Sequence, residues 1–297
     1  MAFRLFDDRD RELVFHRPPT RVVSLVPSDT LSVAALGAGA RLVGRTRYCV
    51  EPAYVVGRVP EIGGTKDVDV EAVVALKPDL VIANQEENTQ ANLEALIKRG
   101  LVVFICFPLT VAQGLNHLAR LARILGLEGD AGVKDLIRRG LSALRAAEDS
   151  RRARQPLRAF VPIWMEPLMT VAGDTFISDA LALAGAENVF ADRRRRYPLA
   201  ADQGRAPALT AEQAGARDTR YPRITEAELV ARAPEIVLLP DEPHPFSQAD
   251  AAHVRALDLP AAASGRVRLC GGRDLMWYGA RSIEGLPRLR AAIDALR

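Results

Sequence analysis

The amino-acid sequence predicts an α/β protein of two βα-alternating lobes, each with a parallel sheet, joined by one long backbone helix. Three observations carry this expectation. Residues Asp69 to Asn84 and Ile224 to Pro240 read as two copies of one unit; the elements flanking the copies recur in the same order; and between the halves lies a long stretch with a helical apolar repeat.

In the first half, strand Arg21 to Val26 leads to helix Asp29 to Leu36. The first copy follows, with Val70, Val73, Val74 and Leu76 ahead of Lys77-Pro78-Asp79 and then the apolar strand Leu80 to Ala83. Proline closes the helix because it has no amide hydrogen to donate and disfavours helical backbone in the residue before it. Helix Gln90 to Lys98 and strand Leu101 to Ile105 complete the half. Next, Asp130 is a suitable N-cap, and Val133, Leu136, Ile137, Leu141 and Leu144 recur at helical spacing beside Lys134, Arg138, Arg139 and Arg145. A helix from Ala131 to about Arg152 spans about 33 Å at ~1.5 Å per residue. Such a rigid connector permits only modest opening and closing. In the second half, strand Leu157 to Ile163 leads through a loop to helix Phe176 to Ala184. Leu229 and Val230 then precede Ala233-Pro234-Glu235 and strand Ile236 to Leu239, followed by helix Gln248 to Arg255 and strand Arg266 to Leu269. The expected divisions are an N-terminal lobe over 1–128, a linking helix over 129–154 and a C-terminal lobe over 155–297. Ligands of parallel sheets sit outside the carboxyl ends of the strands, so two facing lobes place a binding cleft between their loops.

Composition restricts the partners. A net charge of +3 on 297 residues does not call for nucleic acid, and no basic-aromatic interleaving supports it. The run Arg193 to Arg196 lies in a loop with Pro198, Gly204, Pro207 and Gly215, which reads as a solvated insertion over 193–217. The longest apolar run, Leu101 to Phe107, is far below the ~20 residues that span a bilayer. The N-terminal stretch has no apolar core of signal-peptide length, so the chain as written reads as cytoplasmic, or as periplasmic or cell-surface if its native leader is missing. Cys49, Cys106 and Cys270 are odd in number and widely spaced, which suits neither a disulfide framework nor a metal-binding pair. Cys106, in an apolar strand, reads as a small core residue.

Several ordered segments carry a resemblance: Arg21-Val-Val-Ser-Leu-Val-Pro-Ser28, Val43-Gly44, Tyr48 to Pro52, Gly63-Gly64 to Glu71, Ala75 to Val81, Gly173 to Ile177, Gly185 to Phe190, Tyr221-Pro222 and Ala231 to Val237. Through them the chain resembles the helical-backbone (class III) periplasmic binding proteins, the receptors that serve cobalamin, ferric siderophore and haem uptake, and within that class the cobalamin-binding branch. The resemblance implies a non-enzymatic, monomeric substrate-binding protein of an ABC-type uptake system, with a corrinoid as ligand and permease subunits as partners. It implies no intrinsic cofactor and no insertion into the membrane. Haem or a ferric siderophore is the alternative ligand, and a cytoplasmic corrinoid-handling or sensing protein working without a permease is the alternative role.

Candidate contacts fall on the loops at the carboxyl ends of the strands. Aromatic residues make up only 5% of the chain, yet Trp164, Trp277, Tyr48, Tyr221 and Tyr278 sit there, and rigid aromatics suit the large apolar faces of a macrocycle. Resemblance to the cobalamin receptors puts Tyr48, Thr65, Tyr221 and Trp277 at ligand-lining positions, with Thr65 standing where some relatives have an aromatic. Arg45, Arg47, Arg273 and Arg281 are placed to meet peripheral carboxylates or phosphate. Asp241, Glu242 and His244 follow strand Ile236 to Leu239, but the four histidines, His16, His117, His244 and His253, are too scattered in sequence for a protein metal site. Cys49 has no histidine at a matching position to activate it, and no hydrolase elbow, phosphate loop or metalloprotease helix occurs. By the same resemblance, Glu71 is the permease-docking carboxylate of the first lobe. In the second lobe the equivalent position is Ala227, flanked by Glu226 and Glu228, and one residue along a helix turns a side chain by ~100°.

Overall fold

A computed structural model describes residues 3–297, so the first two residues of the N-terminal stretch lie outside it. The strands are β1 Phe3–Phe6, β2 Glu12–Phe15, β3 Val22–Ser24, β4 Leu42–Arg45, β5 Leu80–Asn84, β6 Val103–Cys106, β7 Leu157–Phe160, β8 Pro162–Trp164, β9 Met169–Thr170, β10 Ala186–Asn188, β11 Ile236–Pro240 and β12 Val267–Cys270. They build two four-stranded parallel sheets of identical connectivity, β4-β3-β5-β6 and β10-β7-β11-β12. Short antiparallel pairs, β1 with β2 and β8 with β9, accompany them.

The internal repeat extends to capping chemistry. Asp69 accepts from the amide of Ala72 to start helix Val70–Ala75, and Thr225 accepts from the amide of Glu228 to start helix Glu226–Arg232. Lys77 and Ala233, each just before a proline, adopt the left-handed region with φ of 46° and 45°. That turn carries the chain directly into β5 or β11, and every residue of those two strands is buried.

The chain divides into two compact units, residues 1–142 with 277–283 and residues 143–276 with 284–297. The division falls inside helix Ala131–Arg152, which has the predicted ends. Trp277 to Ile283 pack with the first unit, whereas sequence order alone places them in a C-terminal lobe. In the first unit helix Pro27–Ala35 packs on β3 and β4, and helix Gln90–Lys98 packs on β6. In the second, Phe160, Phe190, Leu229, Val237 and Val254 share a core in which Phe160 and Phe190 meet edge to face at 5.5 Å. The predicted strand Leu157 to Ile163 is broken: β7 stays in the main sheet, and Pro162 and Trp164 leave it to pair with β9. Pro162 lacks the amide hydrogen that a central position would require.

Candidate ligand-binding site

In the first unit the loop after β4 is braced from several sides. Arg45 is committed to the fold: Nε donates to the Val56 carbonyl at 2.9 Å, Nη1 to the Thr46 carbonyl at 3.2 Å, and Nη2 lies 3.2 Å from Glu61. Arg47 pairs through both terminal nitrogens with Asp67, at 2.6 and 3.2 Å, and its guanidinium sits 5.7 Å from the centre of the Tyr48 ring. Tyr48 remains 53% exposed. A Cβ on Gly64 would meet Asp67 Oδ1 and come within 2.6 Å of Arg47 Nη1 and 3.1 Å of Tyr48, so the ends of the exposed Arg47 and Asp67 side chains would have to swing away from their present pairing.

Thr65 is half-buried, and its carbonyl accepts from Asn88 Nδ2 at 3.0 Å. Asn88 also accepts from the Asn84 amide at 2.9 Å, and the Asn84 side chain accepts from the amides of Glu86 and Glu87. These two buried asparagines hold the turn that follows β5. Sequence reasoning missed them; an Asn four residues from another at a strand end was the available signal. Cys49 is buried with its sulfur 3.1 Å from Thr46 Oγ1, and burial pushes its thiol up to about 11, so it is no ready nucleophile.

The aromatic pair at 277–278 is turned inward. Trp277 is 6% exposed and Tyr278 3% exposed. The Tyr278 hydroxyl donates to Asp29 Oδ2 at 2.9 Å and lies 3.2 Å from Cys106 Sγ. Asp29 Oδ1 is also 2.6 Å from His117 Nε2, and the His117 ring stacks on Phe104 at 5.5 Å. Tyr278 thus belongs to a buried polar cluster and not to an open ligand face. Burial, followed by the charge on Asp29, raises its phenol well above 10.0. Asp29, Cys106 and His117 carry donor atoms within 4.8 Å of one another, a metal-type set that their scatter in sequence hides. In this arrangement those donors are engaged with one another through hydrogen bonds. Arg281 reaches Glu51 at 3.4 Å within the same unit.

In the second unit Trp164 is 44% exposed, with its indole N–H donating to the Glu166 carbonyl at 3.0 Å. His244 packs edge-on between Trp164, at 5.3 Å, and Phe246, at 4.6 Å, at the carboxyl ends of β8 and β11. Tyr221 is half-buried, and the Arg220 guanidinium sits 5.4 Å from its ring centre. Asp241 accepts from the Gly272 amide at 2.6 Å and so fixes the turn that leads to Arg273. The candidate docking carboxylates also separate, Glu71 and Glu226 exposed and Glu228 half-buried. Glu71 is paired with Arg99 at 2.8 Å, Glu226 with His253 at 2.6 Å, and Glu228 with the buried Arg193 at 2.7 Å. Counting from the two N-caps, Glu71 is the second helical residue of its helix and Ala227 the second of the other.

A family model described as periplasmic binding protein matches residues 22–273. The chain belongs to that family. The periplasmic binding proteins it matches include vitamin B12-binding proteins of Yersinia pestis and Yersinia pseudotuberculosis, each 32% identical over 179 residues, covering 60% of this chain. The match spans 62% of those relatives' own length. Among solved structures, the periplasmic vitamin B12-binding protein BtuF of Vibrio cholerae superposes with a TM-score of 0.74 at 18% identity, covering 94% of this chain and 98% of that one. The periplasmic haem-binding protein RhuT of Roseiflexus gives 0.73 at 20% identity, covering 93% and 99%. These superpositions establish the fold of a periplasmic binding protein. No helix of the described residues is long and apolar enough to cross a membrane.

Proposed function

We propose that this protein is a corrinoid-binding member of the family, acting as the substrate-binding component of an ABC-type uptake system and holding its ligand without chemical change. The observation that carries the reading is the 32% identity to vitamin B12-binding proteins across 179 residues. The site residues suit it. Tyr48 and Trp164 are exposed, each held in place by neighbouring contacts, and each offers an apolar face, Tyr48 in the loop after β4 of the first parallel sheet and Trp164 at the end of β8 beside the chain leaving β11. Glu71 and Glu226 stand exposed near helix starts and are the carboxylates we assign to permease docking.

Calorimetry and visible absorbance with cobalamin test the reading, with haemin and a ferric siderophore run in parallel. The expected result is one-to-one cobalamin binding with a micromolar or tighter Kd, about −8 kcal/mol or better. Trp164→Ala and Tyr48→Ala each weaken it about tenfold or more. Saturation by haemin or the siderophore with no heat from cobalamin overturns the corrinoid assignment, and conversion of the bound ligand overturns the non-catalytic one.

A further inference from the structure

Residues 193–223 carry eight arginines against three carboxylates, a net of +5, whereas the whole chain carries +3. The remainder of the protein is therefore slightly acidic, and the positive charge is concentrated in this one segment. Four of the eight guanidinium groups are accounted for locally. Arg193 is buried against Asp202 and Glu228, Arg194 pairs with Asp174, Arg217 caps the carbonyls of Gln213 and Ala214, and Arg220 grips Asp218 through two nitrogens.

Arg195 and Arg223 differ. Nε of Arg195, and both Nε and Nη1 of Arg223, are buried and have no hydrogen-bond partner among the described residues. Their positions are nevertheless fixed. The Arg195 amide donates to the Thr219 carbonyl at 2.7 Å, and its guanidinium sits 4.4 Å from the centre of the Tyr197 ring. The Arg223 amide donates to Asp202 Oδ2 at 2.7 Å, and its carbonyl accepts from Arg193 Nη2 at 3.2 Å. Asp202 is no free counterion, because Oδ1 already takes Arg193 Nη1 and the Arg196 amide. Burial, and then the nearby charge of Arg195, hold the Arg223 guanidinium below its usual range. Enclosed unpaired donors and two neighbouring like charges both oppose folding, and one oxyanion relieves both.

We propose that Arg195 and Arg223 form a seat for an oxyanion carried by the bound ligand. The assignment rests on the reading of Tyr221, two residues from Arg223, as a ligand contact. For a corrinoid, the group of this chemistry is the phosphodiester of the nucleotide loop, which cobalamin has and cobinamide lacks. Guanidinium forks match the paired oxygens of phosphate and carboxylate, which Lys would meet only as a point charge.

The test uses the full chain labelled with 15N and inorganic phosphate as the probe. Phosphate is expected to shift the Nε–Hε resonances of Arg195 and Arg223 saturably and to leave Arg193 unmoved, since its Nε is already bonded to Glu228. Arg195→Gln and Arg223→Gln each weaken phosphate binding about tenfold. Cobalamin binds wild type at least ~10-fold more tightly than cobinamide, and Arg223→Gln removes that preference. Stationary Nε–Hε resonances, or equal affinity for the two corrinoids, overturn the seat while leaving corrinoid binding intact. If neither corrinoid binds, the corrinoid reading fails and the phosphate titration alone decides the seat; because it is made on wild type, a variant that fails to fold does not compromise it.

Discussion

Replacing Tyr278 by Phe tests whether the Asp29 cluster holds the segment Trp277–Ile283 in the first unit. The change deletes one oxygen and keeps the ring, including its edge-on contact with His117 at 5.6 Å. What is lost is a hydrogen bond to a carboxylate at 2.9 Å and an acceptor for Asn84 Nδ2 at 3.3 Å, both in the buried interior. A hydrogen bond to a charged group contributes about 1.5–3 kcal/mol, and a neutral one about 1. Asp29 keeps His117 and Cys106, which limits the damage, so the expected cost is about 2–3 kcal/mol, roughly 30- to 150-fold in the unfolding equilibrium. Urea unfolding followed by circular dichroism reads it. The pH dependence supplies a second arm. The folded protein holds the Tyr278 proton well above the 10.0 of an exposed phenol, so above that pH the unfolded chain releases a proton that the native state retains. Stability from this group is therefore complete below 10.0 and lost as pH rises beyond it, and the gap between wild type and Tyr278→Phe narrows there. A gap below about 0.5 kcal/mol at neutral pH, or one that stays constant into the alkaline range, refutes the reasoning.

Gly64→Ala puts a Cβ against the ends of the exposed Arg47 and Asp67 side chains, which swing away at little cost, so a thermal melt should show a change within about 0.5 kcal/mol while NMR shows the Arg47–Asp67 pair opening and Tyr48 mobility rising. Arg193→Ala leaves the buried Asp202 without its guanidinium and should cost about 3–5 kcal/mol, so an unchanged melting temperature argues against that pair as the anchor of the insertion. Asp79 is held below the ordinary 3.8, chiefly by the Thr20 amide, so its contribution is present above that pH and lost as pH falls below it; the stability difference between wild type and Asp79→Asn should shrink in acid, as urea midpoints measured across that range would show.

What the sequence makes legible here is local chemistry, and what it hides is pairing across long separations. Helices Gln90–Lys98, Gln248–Arg255 and Ala131–Arg152 have the predicted ends because a capping residue and a 3.6-residue apolar repeat lie within one short window. The helices also end ahead of Lys77-Pro78 and Ala233-Pro234 as read, because proline disfavours helical backbone in the residue before it, although the left-handed φ of Lys77 and Ala233 is not what a proline alone dictates. β10 went unseen: Ala186-Glu187-Asn188 has no apolar run, and it forms only because β7 is available beside it. The candidate site divides in the same way. Tyr48 and Trp164 are exposed at the predicted loops, since a strand end fixes their place. Arg45, by contrast, reads as a free cation and is consumed by carbonyls and Glu61. Tyr278 reads as a ligand face and is drawn inside by Asp29, 249 residues away. No periodicity encodes that contact; it requires the chain to return, after the second unit is built, to a carboxylate in the helix after its first parallel-sheet strand. The inward turn of 277–278 bears on function as well, because it ties Arg281 and Glu51 to one unit and leaves candidate aromatic contact in the other to the exposed Trp164 and the half-buried Tyr221.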